Sequence, residues 1–278
     1  MREALSDGVG IIGFGSIARD LIDILCAQDS PPAALFVLVR SGKQAATLAE
    51  ARRQAAGRCA VSVVERVEDL LALRPGVVAE CASHAAAAAS GPAILRAGVD
   101  LVVASIGALA DPRTELTLRQ AAQDGRAQLV LPAGAIGGID MLSAARLSGL
   151  TTVTYTGCKP PRAWAGTPAE AACDLEALSE PVVFFTGTAR KAATDYPRNA
   201  NVAAMLALAG LGLDATIVRL VADPEATGNT HQFSVRSNAV DFDMSLTAKP
   251  SPRNPRTSAS TAYSMARAVL NRFDAIVI

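Results

Sequence analysis

The chain of 278 residues has no surplus charge of either sign and few aromatic residues. Lysine and arginine together number 26, and so do aspartate and glutamate. A protein that coats nucleic acid needs a basic excess to neutralise phosphates, and this chain has none. We therefore expect no nucleic-acid partner and a small-molecule substrate instead.

Long hydrophobic runs are also missing. The apolar stretch 99–106 is interrupted by Asp100 and Ser105, and the alanine run 85–89 is too short for a membrane span, which needs about 20 residues. The N-terminal segment MREALSDG has charged residues and no apolar centre typical of a signal peptide. We expect a cytoplasmic protein without a membrane partner.

Cysteine is scarce and unpatterned. The five cysteines form no CxxC pair and lie at no metal-ligand spacing from a histidine. Their predicted role is that of small buried apolar residues in a reducing compartment. With no HExxH motif and no carboxylate cluster, we expect no metal site.

Short apolar runs alternate with helical stretches through the first half of the chain. Such runs are typical of strands covered on both faces, and their alternation with helices predicts βαβ units. We therefore predict α/β architecture with a Rossmann-type doubly wound parallel sheet. The predicted strands are 9–12, 35–39, 61–64, 77–82, 101–106 and 128–131. The predicted helices are 16–27, 43–56, 67–73, 85–97 and 112–124.

The pattern changes after about residue 134 and predicts a second domain of α+β type. No helical pattern separates its last three predicted strands, which favours antiparallel pairing. Residues 249–256 contain three prolines and predict a loop, followed by a final helix at 257–273. The predicted strands are 151–156, 182–186, 216–221, 232–236 and 240–246, and the predicted helices are 140–147 and 201–209. We predict a dinucleotide-binding domain at 1–133 plus 254–278 and a substrate and dimerisation domain at 134–253.

A glycine-rich turn, GFGSIA at 13–18, lies where the first predicted strand meets the first helix. Gly13 permits the tight turn, and Gly15 lets the backbone approach a pyrophosphate. Ser16 and Ile17 open the helix, whose N-terminus offers free N–H groups to phosphate. We expect these four residues to bind a dinucleotide cofactor. The alternative is a glycine turn without a ligand.

The end of the second predicted strand bears on the choice of cofactor. An acid there would bind the ribose 2′-hydroxyl of NAD, but the strand is followed by Arg40, Ser41, Gly42 and Lys43. Arg40 is suited to clamp a 2′-phosphate, which favours NADP or tolerance of both NADP and NAD. The alternative is a solvated basic loop.

Two histidines are the candidates for acid–base chemistry near neutral pH. His84 follows a strand of the first domain, where it either lines the nicotinamide side or caps a helix. His231 begins a strand of the second domain, and from its position a structural and a catalytic role are equally open. A catalytic role would call for a pKa near the working pH.

Two further stretches suit an acidic substrate. Asn199 and Asn201 begin a predicted helix, where free N–H groups favour carboxylates; the alternative is that both asparagines cap the helix. Lys159 follows a strand and is a candidate carboxylate ligand, as is Arg162. The alternative for both residues is a solvated loop position, which the sequence alone favours for Lys159.

Taken together, these stretches resemble the L-aspartate dehydrogenase family along the whole chain. The matching blocks are GIIGFGSIA (10–18), VVASIGALAD (102–111), LPAGAIGGID (131–140), CKPPRAW (158–164), YPRNANVAA (196–204), NTHQF (229–233) and PSPRNPRTSASTAYS (250–264). The chain departs from the family pattern in the alanine run 85–89 and in Arg40, where some relatives carry an acid.

The resemblance implies oxidative deamination of L-aspartate with NAD or NADP, through iminoaspartate to oxaloacetate and ammonia, in NAD biosynthesis. It implies a homodimer formed through the α+β domain and a C-terminal helix that returns to the first domain. It also implies that His231 is the proton donor and acceptor and that Ala135 and Asn201 contact the cofactor. The alternatives are another two-domain reductase, of the homoserine dehydrogenase or dihydrodipicolinate reductase type, or a dinucleotide-binding sensor without catalysis.

Overall fold

The computed structural model describes residues 8–197 and 200–277. These residues form two compact units, one made of 8–132 with 261–277 and the other of the described residues within 133–260. The first unit thus combines both ends of the described chain, and the second is a single insertion between them.

Six parallel strands form the sheet of the first unit. They are β1 (Gly8–Ile12), β2 (Ala34–Leu38), β3 (Ala60–Val64), β4 (Val77–Glu80), β5 (Asp100–Val103) and β6 (Leu129–Val130). Their order in the sheet is β3-β2-β1-β4-β5-β6. The order reverses beside β1, which creates the crevice at the carboxyl edge where doubly wound sheets bind ligands. The predicted Rossmann-type fold is confirmed.

Helices cover both faces of this sheet. They are α1 (Ser16–Cys26), α2 (Gln44–Ala55), α3 (Val67–Ala72), α4 (His84–Arg96) and α5 (Pro112–Gly125). Ile11 and Ile12, adjacent in β1, belong to separate cores on opposite faces, where Ile11 shares a core with Leu21 of α1 and Ile12 shares one with Ile94 of α4. Burial on both faces explains why these strands are continuous apolar runs instead of alternating ones.

The C-terminal helix, Ala259–Leu270, contributes to the core of the first unit. Its buried residues Met265, Ala266 and Val269 pack in the same cluster as Ile11 and Leu21. The spacing of three and four residues between them places these side chains on one face of the helix.

The second unit is built on a five-stranded mixed sheet. Its strands are β7 (Leu150–Lys159), β8 (Val182–Thr188), β9 (Ile217–Ala222), β10 (Asn229–Ser237) and β11 (Phe242–Ala248), in the order β11-β10-β7-β9-β8. Its helices are α6 (Ile139–Ser148), α7 (Ala169–Ala172), α8 (Ala189–Asp195) and α9 (Ala200–Ala209). The α+β character predicted for this part of the chain is confirmed.

Two expectations about this unit need correction. The last three strands do alternate in direction, but β9 and β10 are not neighbours, because β7 lies between them, parallel to β9 and antiparallel to β10. The loop predicted at 249–256 contains the short strands β12 (Pro250–Ser251) and β13 (Asn254–Ser258), which pair with each other. This pairing keeps residues 254–260 in the second unit, whereas the sequence pattern predicts that they belong to the first.

Candidate active site

A cavity of about 860 Å³ lies at the carboxyl edge of the sheet in the first unit. The glycine turn after β1 and the loop after β2 both line it, and so does the segment after β4. The lining residues with charged side chains are Arg19, Arg40, Lys43, Glu50 and Glu65. This is the predicted place for a dinucleotide, and the structure brings Gly13, Gly15 and Arg40 together there.

The glycine turn is shaped by a close approach of two strands. Gly13 has φ +92°, and its N–H donates to the carbonyl of Leu38 at 2.8 Å. A Cβ atom on Gly13 would lie 2.7 Å from the Cβ of Ala82. A side chain at this position would therefore both strain the backbone and clash with the segment after β4.

Gly15 is open on the cavity side, since no other atom lies within 4 Å of where its Cβ would be. It is the N-cap of α1, and among the described residues no side chain caps the helix and no acid occupies its first turn. Ser16 and Ile17 form that first turn, and the side chain of Ile17 packs against the core. An uncapped helix N-terminus beside an open glycine fits the pyrophosphate of a dinucleotide.

The basic loop after β2 is held by an acid that sequence reasoning missed. Glu65, just after β3, accepts hydrogen bonds through Oε1 from the N–H groups of Gly42 at 2.7 Å and Gln44 at 3.3 Å. The side chain of Arg40 is exposed beside this ordered loop. Glu65 comes more than 20 residues after the loop in sequence, so only the parallel pairing of β2 with β3 brings them together.

A second acid, Glu80, is fully buried at the end of β4. Its carboxylate accepts hydrogen bonds from the backbone of Ala82, Ser83 and Ser105 and from the Ser105 hydroxyl. Burial raises the pKa of Glu80, and these four donors act in the opposite direction. The carboxylate fixes Ala82 against the glycine turn. His84 follows as the first residue of α4, whose N-cap is Ser83.

The second unit holds the other histidine in a buried cluster. His231 of β10 is 5% exposed and lies opposite Gly157 of β7 in the strand register. Its Nδ1 lies 2.8 Å from the hydroxyl oxygen of Tyr155, which precedes Gly157 by two residues on the same face of β7. The rings of Tyr155 and His231 are nearly parallel, with centroids 6.0 Å apart.

Lys159 completes this cluster from the other side of Gly157. Its ammonium nitrogen lies 5.2 Å from the centre of the Trp164 ring, within cation–π range. Burial lowers the pKa of Lys159 to about 8. The cluster thus sets an imidazole, a phenol and a half-buried lysine on one face of the sheet.

The environment of His231 corrects one expectation. Burial, followed by the charge of Lys159, lowers the pKa of His231 to about 4, well below the neutral value expected for a group that titrates at the working pH. His231 is therefore a neutral imidazole at pH 7 in the protein alone. A neutral imidazole has a free nitrogen lone pair and can accept a proton.

The loop predicted to contact the cofactor approaches the same face of the sheet. Ala135 belongs to this loop between β6 and α6 and is half-buried. A Cβ on Gly137 would lie 3.3 Å from Leu246, which lies opposite His231 on β11. Gly137, two residues after Ala135, thus lies against the sheet face that carries His231.

The remaining predicted site residues are not drawn into this cluster. Asn201 lies in the first turn of α9 and is exposed, and Arg162 is exposed in a 3₁₀ turn after β7. Asn199 lies outside the described residues.

The part of the chain that the structure describes contains no group of three side chains able to hold a metal ion. Nor does any helix in that part combine the length and apolar character needed to cross a bilayer.

Comparisons with known proteins match successive parts of the chain. The family model for the NAD-binding domain of homoserine dehydrogenase matches residues 13–132, and that for the C-terminal region of aspartate dehydrogenase matches residues 140–272. The L-aspartate dehydrogenase of Polaromonas sp. is 43% identical over 97% of this chain and 99% of its own length. That of Cupriavidus necator is 44% identical over the same shares.

A solved structure shares the fold. The aspartate dehydrogenase of Thermotoga maritima superposes with a TM-score of 0.74 at 24% identity and covers 99% of this chain and 100% of its own. A hyperthermophilic archaeal homoserine dehydrogenase gives a TM-score of 0.58 at 14% identity, covering 96% of this chain and 97% of its own. At these identities the two structures establish the architecture alone.

Proposed function

The chain belongs to the L-aspartate dehydrogenase family, and from this premise we propose that it oxidises L-aspartate with NAD or NADP. The product, iminoaspartate, reacts with water to give oxaloacetate and ammonia. The observation that carries the proposal is the buried cluster of His231, Tyr155 and Lys159, which sets a neutral base beside a cation. Such a pair suits a substrate that carries two carboxylates and must release a proton.

The first unit supplies the residues that fit the cofactor. We propose that the N–H groups of Ser16 and Ile17, at the uncapped start of α1, bind the pyrophosphate across the open side of Gly15. Arg40 is proposed to meet a 2′-phosphate when NADP is bound. Ala135 and Asn201 are proposed as further cofactor contacts. When bound, the nicotinamide ring accepts the hydride that leaves Cα of aspartate.

His231 is proposed to move the protons of the reaction. Its imidazole is neutral at pH 7 and accepts a proton from the water that attacks the imine carbon, so that a C–O bond forms as the C=N double bond becomes single. The imidazolium then returns this proton to nitrogen, which gives a carbinolamine. The imidazole next takes the hydroxyl proton and passes it to nitrogen, so the C–N bond breaks and ammonia leaves as the C=O bond of oxaloacetate forms. One water is consumed and His231 ends neutral. Positioned groups of this kind typically contribute roughly 10²–10⁴-fold in rate.

Lys159 is proposed to bind a substrate carboxylate, and Asn199 is retained as a second candidate for that role. Lys159 is half-buried, which strengthens the attraction of its ammonium group for an anion relative to a lysine in water. Lys159→Met is expected to raise the KM for aspartate by at least tenfold. Lys249→Met, an exposed lysine of the same unit, is the matched control.

The test of the activity is a steady-state assay at 340 nm with L-aspartate and either cofactor. We expect turnover with aspartate and none with homoserine. His231→Ala is expected to cut kcat by roughly 10²–10⁴-fold with little change in cofactor KM. Glu225→Ala, an exposed residue of the same unit that lies outside β10, is the control. A kcat for His231→Ala within about threefold of the parent would rule out the acid–base role.

We further propose a homodimer, formed through the second unit. Thr154 of β7 and Ser234 of β10 lie opposite each other and alternate with buried residues, so they share the sheet face turned away from α6 and α9. A polar, half-buried sheet face is suited to a second copy of itself. The double variant Thr154→Arg/Ser234→Arg is expected to halve the mass measured by light scattering.

The cellular setting is also a proposal. All five cysteines are free thiols, including Cys26 and Cys59, whose sulfur atoms lie 3.4 Å apart. Such thiols suit the reducing cytoplasm, and cell fractionation tests this location. We propose that the iminoaspartate formed there serves NAD biosynthesis. Expression should restore growth without nicotinic acid in a strain that lacks its own aspartate-oxidising enzyme.

A further inference from the structure

We propose that Tyr155 is a positioning residue that holds His231 with its proton on Nδ1, so that Nε2 is the nitrogen that accepts a proton. The inference rests on the proposed role of His231 as the base. It starts from the 2.8 Å contact between the Tyr155 hydroxyl and Nδ1, which engages one of the two ring nitrogens. The nitrogen left to act on substrate is Nε2, and it is a base only in the tautomer that carries hydrogen on Nδ1.

A phenol suits this position because it can accept the Nδ1–H hydrogen bond without bringing a charge. Burial raises the pKa of Tyr155 well above its usual value, so the phenol stays neutral through the working range. A carboxylate in its place would favour the imidazolium and raise the pKa of His231. Tyr155 thus orients the ring while leaving it neutral and ready to accept a proton.

The same hydrogen bond serves both protonation states of the ring. When Nε2 gains a proton, Nδ1 keeps its own hydrogen and continues to donate to the Tyr155 oxygen. The ring therefore need not turn during the proton transfer described for His231, and this preorganisation is the contribution expected of a positioning residue.

Gly157 makes the contact possible. It lies between Tyr155 and Lys159 on β7 and opposite His231 on β10, and a Cβ on Gly157 would lie 2.7 Å from the Tyr155 hydroxyl oxygen. No side chain other than hydrogen leaves the phenol room to cross the strand and reach the ring of His231. The spacing Tyr-x-Gly-x-Lys thus places the phenol, the open position and the lysine on one face of β7, opposite the histidine.

Few charged or titratable groups of the described structure act on His231. Tyr155 contacts it by the hydrogen bond, and Lys159 acts through its charge, both from β7. From β11 the residue opposite is the apolar Leu246. Removing the Tyr155 hydroxyl should therefore alter the tautomer of His231 with little change in the charge around it.

The first test is Tyr155→Phe, which keeps the buried ring and removes only the hydroxyl. We expect kcat to fall about 10–100-fold, the effect of losing one hydrogen bond to a group that becomes charged, with the KM for aspartate changed less than twofold. Tyr196→Phe is the matched control, since it removes the hydroxyl of another buried tyrosine of the same unit, whose ring packs against Phe184 and Phe185. Equal kcat values for the parent and Tyr155→Phe would overturn the proposal.

The second test observes the tautomer directly and needs no turnover. The chain has only two histidines, so His84→Asn leaves His231 as the single imidazole in a ¹⁵N spectrum. We expect hydrogen on Nδ1 in this parent and on Nε2 once Tyr155→Phe is added. Gly157→Ala should produce the same change with the phenol still present, and it keeps the test valid if Tyr155→Phe does not fold. Hydrogen on Nε2 in the parent would refute the proposal.

The two proposals fail separately. If His231→Ala keeps its activity, the base assignment fails, whatever Tyr155 does to the tautomer. If His231→Ala loses activity while Tyr155→Phe keeps both its kcat and the parent tautomer, His231 remains the base and the role of Tyr155 is refuted.

Discussion

The carboxylate of Asp100, at the start of β5, forms an ion pair with Arg272, just beyond the C-terminal helix. Both side chains are largely buried, at 6% and 15% exposure, and Asp100 also accepts a hydrogen bond from the N–H of Gln128 at 2.6 Å. The pair ties the last described turn of the chain to the sheet of the first unit.

We expect Arg272→Ala to lower the free energy of unfolding of the first unit by about 3–5 kcal/mol, because it leaves the buried charge of Asp100 without its partner. Urea denaturation measures this change. Arg52→Ala, an exposed arginine of α2 in the same unit, should change stability by less than about 0.5 kcal/mol. If both variants lost a similar free energy of unfolding, the ion pair would have no specific effect on stability.

Substitution by alanine should have different effects at the two glycines of the turn. Gly13→Ala should destabilise the fold by about 1–3 kcal/mol, because its φ of +92° and the nearby Ala82 both oppose a Cβ. Gly15→Ala meets no protein atom, so it should keep its melting temperature and lose cofactor affinity instead. A thermal melt combined with cofactor titration separates these outcomes, and identical behaviour would contradict the assignment.

Arg40→Asp should weaken NADP more than NAD by roughly tenfold or more, since it removes a cation and adds repulsion toward the 2′-phosphate. The ratio of the two KM values measures the effect. Arg53→Asp makes the same charge change on α2, where the side chain does not line the cavity, and should leave that ratio unaltered. Equal KM changes for both cofactors in Arg40→Asp would argue for a solvated loop.

His231 should make stability depend on pH in a defined window. Its folded pKa of about 4 lies below the ordinary value of 6.5, so between these values the unfolded chain binds more protons than the folded protein. Stability from this group is complete above pH 6.5 and is lost as the pH falls toward 4, by about 3 kcal/mol in total. In denaturation series, His231→Asn and His231→Gln should lack this component. If the free energy of unfolding of the parent and of the variants changed equally from pH 7 to pH 4, this prediction would be wrong.

Much of the fold was predictable from local patterns, as the first unit illustrates. The apolar runs of β1 and β2 and the turn at Gly13 are local features of the sequence. A parallel strand that is buried on both faces must be a continuous apolar run, so it can be recognised from its own residues. Prediction failed for the place of β7 between β9 and β10, where the pairing is long-range. It also failed for the local pairing of β12 with β13, which lies among prolines. Proline density predicts loops but does not show which flanking residues pair with each other.

The sequence by itself determined the βαβ order and the glycine turn, because strand period and glycine placement are properties of short segments. Its two histidines limited the candidates for the base to His84 and His231. The tertiary structure alone decided what surrounds His231. The strand register sets Tyr155 and Lys159 on either side of His231 across more than 70 residues of chain, and burial then lowers its pKa. Register and burial depend on contacts between distant segments, so no local pattern encodes them.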